Sequence, residues 1–86
     1  MSLNARELSL CLAACRLLKD CGEWLCPDDV LRSSLRRAAV PPATTSELDA
    51  ALRHLDEHRR IHATDTETGR KWALTDEGRS WLSRNA

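Results

Sequence analysis

The chain has 86 residues, of which 42% are hydrophobic and 30% charged, and its 13 basic and 13 acidic side chains cancel. This length predicts a single domain over residues 1–86, and the composition is typical of a globular protein. A dedicated nucleic-acid-binding protein usually carries a basic excess, which is missing here. Since no apolar run approaches the ~20 residues of a membrane span, we expect a cytoplasmic protein with no membrane segment.

The first predicted element is a helix that begins after Asn4 and ends at Gly22. Asn4 and Glu7 have the spacing of a capping box, and glycine is a common stop at the C-terminal end of a helix. Apolar side chains cover most of the helix in two sets at helical spacing: Leu8, Cys11, Leu12, Cys15, Leu18, and Leu10, Ala13, Ala14, Leu17, Cys21. A helix this apolar is either central in the domain or shared with a partner. We predict a homodimer through this helix, by Leu10, Ala13 and Leu17.

A second helix is predicted after a short extended segment at Trp24 and Leu25. Pro27 suits the first turn of a helix, and the two aspartates that follow it favour the positive end of the helix dipole. The helix is expected to run to about Ala39. Its predicted buried residues are Val30, Leu31, Leu35 and Ala38, and its arginines Arg32, Arg36 and Arg37 are expected to lie mostly outside.

The third helix is predicted over residues 45–60, after two prolines that exclude helix. Thr44 and Glu47 form a second capping-box pattern. Periodicity directs four residues inward: Leu48, Ala51, Leu52 and Leu55. The outward face then presents Ser46, Asp49, Ala50, Arg53, His54 and Glu57.

The rest of the chain is predicted as a β-hairpin followed by a short helix. Ile61 and Ala63 alternate with polar residues, as do Trp72 and Leu74, and the turn between them contains Gly69, which adopts positive φ readily. Thr75 is expected to cap a helix from Asp76 to about Arg84, which contributes Trp81 and Leu82 to the core. The fold class is therefore mainly α with a small β-hairpin.

Three segments carry a resemblance to a known family: LDAALRHLDEHRRI, HATDTETGRKWALT and LTDEGRSWL. From about Thr44 to Leu82 the chain resembles a winged helix-turn-helix domain, and its Leu-Thr-Asp-Glu-Gly ending is similar to the tail of the wing in MarR-like and PadR-like bacterial regulators. The resemblance implies three main helices, a two- to three-stranded wing and a short C-terminal helix. It also implies that the third helix enters the major groove of DNA while the wing touches the backbone or minor groove.

The function that this resemblance implies is a small prokaryotic or phage transcriptional regulator that binds double-stranded DNA. The candidate contact residues lie on the second helix, the third helix and the wing: Arg32, Arg36, Arg37, Thr45, Ser46, Asp49, Arg53, Arg70 and Lys71. Two acids, Asp49 and Glu57, share the outward face of the third helix and would repel phosphate unless they read cytosine amino groups. The alternative is therefore a winged-helix module that binds a protein partner and no nucleic acid, with these helix faces simply solvated.

Enzyme chemistry, metals and cofactors are not expected. Cys11 and Cys15 are one helical turn apart, but the four cysteines match no common zinc spacing and contain no C-x-x-C pair. We expect thiols that pack in the core. A thiol sensor would need an exposed cysteine of low pKa, and Cys26 is the best candidate. The three histidines are expected at the surface, as polar residues usually are. Only two of them share a helix face, so a metal site there would lack a third ligand.

Overall fold

The computed structural model describes residues 3–22 and 24–85. Within them the chain is mainly helical with a small antiparallel sheet, as predicted, in the order helix, strand, helix, helix, strand, strand, helix. The helices are α1 (Ala5–Cys21), α2 (Asp28–Ala38), α3 (Thr45–Glu57) and α4 (Asp76–Asn85), and the strands are β1 (Cys26–Pro27), β2 (Ile61–Thr66) and β3 (Gly69–Leu74). None of the described helices is long and apolar enough to cross a membrane.

The sheet has three strands, with β3 between β1 and β2 and both pairings antiparallel. Trp72 of β3 is the central residue, because it lies opposite Cys26 on one side and Ala63 on the other. The β2–β3 turn is closed by Gly69, whose φ is +113°, and by a 2.8 Å hydrogen bond from Thr66 Oγ1 to the Gly69 carbonyl. The predicted hairpin and its glycine are confirmed, and β1 joins the start of α2 to this hairpin.

The first helix lies at the centre of the molecule and packs against α2, α3, α4 and β3. Six of its side chains are buried: Leu10, Cys11, Leu12, Ala14, Cys15 and Leu18. The wide apolar arc of α1 is therefore largely covered by the rest of the same chain. Of the residues predicted to form a dimer surface, Leu10 lies in the core, whereas Ala13 and Leu17 are half-buried.

Side chains cap three of the four helices at their N-termini, where backbone N–H groups have no partner within the helix. Asn4 Oδ1 accepts from the Glu7 N–H at 2.8 Å, and Thr44 Oγ1 accepts from the Glu47 N–H at 3.2 Å. In both cases the glutamate returns a bond to the capping residue, so both predicted capping boxes are confirmed. The predicted cap at Thr75 is also present, with its Oγ1 accepting from the N–H three residues later at 3.0 Å.

The first strand and the second helix differ from the prediction in their detail. The extended segment is Cys26–Pro27 and not Trp24–Leu25, because pairing with β3 aligns Cys26 with Trp72. The Trp24 side chain is 83% exposed. Pro27 belongs to this strand and occupies the N-cap position of α2 without a side-chain hydrogen bond. The helix α2 therefore begins at Asp28, one residue after the predicted start.

Two of the four α2 residues that were predicted to be buried are exposed. Leu31 and Leu35, one turn apart, are fully buried, but Val30 is 50% exposed, because it is rotated about 100° from Leu31 around the helix. Ala38 lines an open groove between α1 and the end of α2, where small side chains such as Ala5 leave space.

The third helix ends at Glu57, three residues before its predicted end at residue 60. Arg59 has a φ of +58°. Its N–H bonds the Asp56 carbonyl at 3.0 Å, and the Arg60 N–H bonds the Leu55 carbonyl at 2.9 Å. This pair of bonds is a Schellman motif, with arginine where glycine is usual. The predicted inward face of α3 (Leu48, Ala51, Leu52 and Leu55) is confirmed.

His54 lies partly buried beside the residues that follow α3, whereas a surface position was expected. Its Nε2 atom is 3.4 Å from Arg60 Nη1, and its ring centre is 4.3 Å from that of His58. Burial, and then the positive charges of His58 and Arg60, lower the pKa of His54 below its usual 6.5, while Glu57 and Glu7 oppose the shift. The folded chain therefore favours the neutral imidazole.

We expect this histidine to make the fold less stable in acid. The pKa of His54 is lower in the folded state than its unfolded value of 6.5. The contribution of His54 to stability is therefore complete above that unfolded value and is lost as the pH falls through the folded value. The melting temperature of His54→Gln should therefore drop less than that of wild type between about pH 7.5 and about pH 5. Thermal unfolding followed by circular dichroism tests this, with His62→Gln, at an exposed position of β2, as the control for loss of an imidazole. Equal drops in wild type and His54→Gln would contradict it.

Candidate nucleic-acid interface

The connection between α2 and α3 is held by Arg36. Its Nε donates to the Ala43 carbonyl at 3.2 Å, and its Nη2 donates to Thr45 Oγ1 at 3.1 Å. Ala43 in turn donates its N–H to the Arg36 carbonyl at 3.3 Å. The guanidinium of Arg36 thus lies at the N-terminal end of α3, where the helix dipole is already positive.

Arg37, the next residue of α2, and Ser46 and Arg53 of α3 are exposed. Within residues 3–22 and 24–85, the side chains of Arg36, Arg37 and Arg53 form no ion pair with a carboxylate. These three arginines therefore keep their charge available to an anion from solution. We call Arg36, Arg37 and Arg53 the basic edge.

Arg32 behaves differently, because it lies between two carboxylates. Its Nε donates to Asp28 Oδ2 at 2.9 Å, and its Nη1 donates to Asp49 Oδ1 at 2.5 Å. The other oxygen of Asp28 accepts the indole N–H of Trp72 at 2.8 Å. We call Trp72, Asp28, Arg32 and Asp49 the interhelix network, because it joins β3, α2 and α3. An arginine that was predicted to hold phosphate is thus engaged within the protein.

The hairpin contributes Arg70 and Lys71. Arg70 Nε donates to Asp65 Oδ1 across the two strands at 3.1 Å, and its Cζ lies 5.9 Å from the centre of the Trp72 ring. Lys71 is half-buried on the opposite face of the strand, since side chains alternate along it. The two predicted contact residues of the wing therefore point to different sides of the sheet.

Arg32, Arg70 and Trp72 also line a cleft of about 250 Å³ between α3 and the hairpin, and α3 contributes Asp49, Arg53 and Asp56 to it. Its arginines are Arg32, Arg53 and Arg70, and four carboxylates lie on or beside it, at Asp28, Asp49, Asp56 and Asp65. The cleft therefore carries no excess of positive charge, although Arg53 belongs both to it and to the basic edge.

Sequence reasoning missed two members of this site. Asp28 was expected only to favour the start of α2, and Trp72 only to form the apolar side of its strand together with Leu74. The i,i+4 spacing of Asp28 and Arg32 on one helix would have predicted their ion pair. The bond from Trp72 to Asp28 spans 44 residues, and no local pattern indicates it.

On the other side of the fold, Arg6 of α1 bonds Glu47 of α3. Arg6 Nη2 donates to Glu47 Oε1 at 3.1 Å, and its Nε donates to the other carboxylate oxygen. These bonds, and then those from Thr44, lower the pKa of Glu47 to about 2. Glu47 therefore stays charged and keeps the N-terminus of α3 attached to α1.

The cysteine proposed as a thiol sensor, Cys26, does not have the properties of a reactive thiol. Cys26 is 4% exposed, and its burial, followed by contacts with the Cys21 thiol, raises its pKa to about 11. The sensor hypothesis required an exposed thiol of low pKa, so Cys26 lacks both properties. Burial likewise raises the pKa of Cys11 to about 11 and that of Cys15 to about 12. Among the described residues, no three His, Cys, Asp or Glu side chains are grouped to hold a metal ion.

Comparison with known proteins does not assign a family. No protein-family model and no curated protein matches the chain.

Proposed function

We propose that the chain is a winged helix-turn-helix module that binds double-stranded DNA, with α3 as recognition helix and the β2–β3 hairpin as wing. The element order and the strand order β1-β3-β2 support this proposal. The segment that resembles winged-helix regulators coincides with α3, the hairpin and α4. A prokaryotic or phage transcriptional regulator is the role proposed for such a module.

The observation that carries DNA binding is the basic edge. Arg36 contacts the N-terminus of α3, Arg53 lies on the exposed face of α3, and Arg37 is exposed at the C-terminal end of α2. None of the three is paired with a carboxylate among the described residues. Binding to duplex DNA draws its sequence-independent affinity from arginines and lysines that displace condensed counterions. Arginines already paired with carboxylates contribute less, because the carboxylate must first be given up. The proposed role therefore rests on Arg36, Arg37 and Arg53, together with the exposed Ser46 and the Thr45 hydroxyl.

We expect DNA binding with a shallow dependence on salt. If Arg36, Arg37, Arg70 and Lys71 each neutralise one phosphate, the slope of log affinity against log salt is about −3 to −4. Arg37→Gln should reduce that slope by about 0.9 and weaken binding to all sequences alike. Fluorescence anisotropy with a labelled random-sequence duplex at several salt concentrations measures both quantities.

Arg16→Gln is the matched control, because Arg16 is exposed on α1 and lines a surface with Lys19 and Arg79. It removes the same charge away from α3 and should leave the slope unchanged. Equal effects of Arg16→Gln and Arg37→Gln would contradict the assignment of the basic edge. Absence of any duplex binding by wild type at low salt would contradict DNA binding itself.

A protein-interaction module is the second candidate, and two observations favour it. The carboxylates of the cleft neutralise Arg32 and Arg70. Trp24, Val30 and Val40 are exposed by 83%, 50% and 92%, and apolar side chains at a surface suit a polypeptide partner. Failure of both wild type and Asp49→Ala to bind any duplex at low salt would favour this candidate.

Homodimerisation through α1 stays a prediction. It is now limited to Ala13 and Leu17, because Leu10 lies in the core of its own chain.

A further inference from the structure

Asp49 occupies an unusual position for an acid on a helix that faces DNA. It lies in the second turn of α3, its side chain is 46% exposed, and one of its oxygens accepts from Arg32 at 2.5 Å. Arg32 is held by Asp28, and Asp28 is held by the buried indole of Trp72. The interhelix network therefore fixes Asp49 against the core of the protein through three successive hydrogen bonds.

Two consequences follow for the carboxylate. The charge of Arg32 offsets that of Asp49, which reduces repulsion from nearby phosphates. The second oxygen, Oδ2, makes no hydrogen bond to any residue in the described parts of the chain. Asp49 thus presents one free acceptor at the exposed surface of α3, in an orientation set in advance by Arg32.

We propose that Asp49 is the residue that reads a cytosine, by accepting a hydrogen bond from its N4 amino group in the major groove, and that Arg32 is its positioning residue. This inference rests on the proposed function, because it assigns a base to the exposed face of α3. Aspartate accepts from cytosine N4 in direct readout. Adenine also offers an amino group, but its N7 acceptor lies beside it and repels a carboxylate.

The role assigned to Arg32 replaces the phosphate contact predicted from the sequence. Its guanidinium is planar and donates in two directions, which lets it bridge Asp28 and Asp49 at once. Arg53 lies four residues after Asp49, on the same side of α3. Its guanidinium is free to bond a guanine roughly one or two base-pair steps from the cytosine.

Selection of bound duplexes from a randomised pool, followed by sequencing, tests the inference. Wild type should prefer cytosine at one position by roughly tenfold or more. Asp49→Asn keeps the size of the side chain and an oxygen for Arg32, but adds an N–H₂ donor. Because that oxygen stays with Arg32, the outward group becomes a donor that cannot accept from cytosine N4. The preference for cytosine should therefore be lost in favour of a base that offers an acceptor, such as N7 of a purine or O4 of thymine.

Asp56→Asn is the matched control. Asp56 lies seven residues later on α3, lines the same cleft and is exposed. It loses the same charge, so general binding at low salt should strengthen about as much as in Asp49→Asn, but the preferred bases should remain those of wild type. A change of base preference in both variants would overturn the assignment to Asp49.

Arg32→Lys tests the positioning role while keeping the charge. An ammonium group lacks the planar fork that bridges two carboxylates, so we expect the cytosine preference to be lost with the salt slope unchanged. A retained preference would overturn the positioning role of Arg32. Circular dichroism melts of each variant establish that it is folded before its sequence preference is compared.

The outcomes separate this inference from the function on which it rests. If wild type binds duplexes without a cytosine preference, or if Asp49→Asn selects the same bases as wild type, the inference is wrong and DNA binding stands. If wild type binds no duplex at low salt, both are wrong.

Discussion

Replacing Gly78 by alanine is expected to destabilise the fold by about 3 kcal/mol or more. A Cβ atom at this position would lie 2.0 Å from the carbonyl oxygen of Arg60 and 2.6 Å from Cδ1 of Leu74. The Leu74 side chain can rotate, but the Arg60 carbonyl is held by the Thr75 N–H at 3.1 Å. Thermal unfolding should show a melting temperature lower by about 12 °C or more.

Gly69→Ala is the control for this prediction. Gly69 has a φ of +113°, but an added Cβ would meet no atom within 4 Å. Its replacement therefore carries only the penalty of a side chain at positive φ, about 1–2 kcal/mol. If Gly78→Ala were no more destabilising than Gly69→Ala, the result would contradict the close contact between α4 and the Arg60 carbonyl.

Leu31→Ala is expected to cost about 2–5 kcal/mol, because Leu31 is fully buried and its truncation leaves a cavity between α2 and the rest of the core. Val30→Ala, at the preceding residue, should cost less than about 1 kcal/mol, since Val30 is 50% exposed. Urea unfolding monitored by circular dichroism measures both. Because the sequence pattern predicts that both residues are buried, equal losses would favour that pattern over the observed position of α2.

The ion pairs of the candidate interface differ in how readily they could yield to phosphate. The side chains of Arg70 and Asp65 are 54% and 75% exposed, and exposed pairs contribute about 0–1 kcal/mol. Arg70 can therefore exchange Asp65 for a phosphate at little cost. Arg32 is less exposed and is held between two carboxylates. Of these two predicted phosphate contacts, only Arg70 keeps that role in our proposal.

The Leu-Thr-Asp-Glu-Gly segment, which carries part of the resemblance to winged-helix regulators, has a structural explanation in this chain. Thr75 Oγ1 donates to the Arg59 carbonyl at 2.6 Å and accepts from the Gly78 N–H at 3.0 Å. Gly78 leaves room for the Arg60 carbonyl. The segment therefore joins the end of α3 to the start of α4. Thr75 and Gly78 are thus required for packing in this chain, so the segment indicates the fold more directly than the function.

Local signals in the sequence determined the element types, their order, three helix caps and the buried face of α3. Capping boxes, helical periodicity and a turn glycine act over a few residues, so they can be read without knowing the fold. The tertiary structure alone decided the bond from Arg32 to Asp49, the exposure of Val30 and the burial of Cys26. These properties depend on which residues of distant segments meet. The bond from Arg32 to Asp49 makes Arg32 a link between α2 and α3, and the bond from Trp72 to Asp28 ties β3 to the same network across 44 residues.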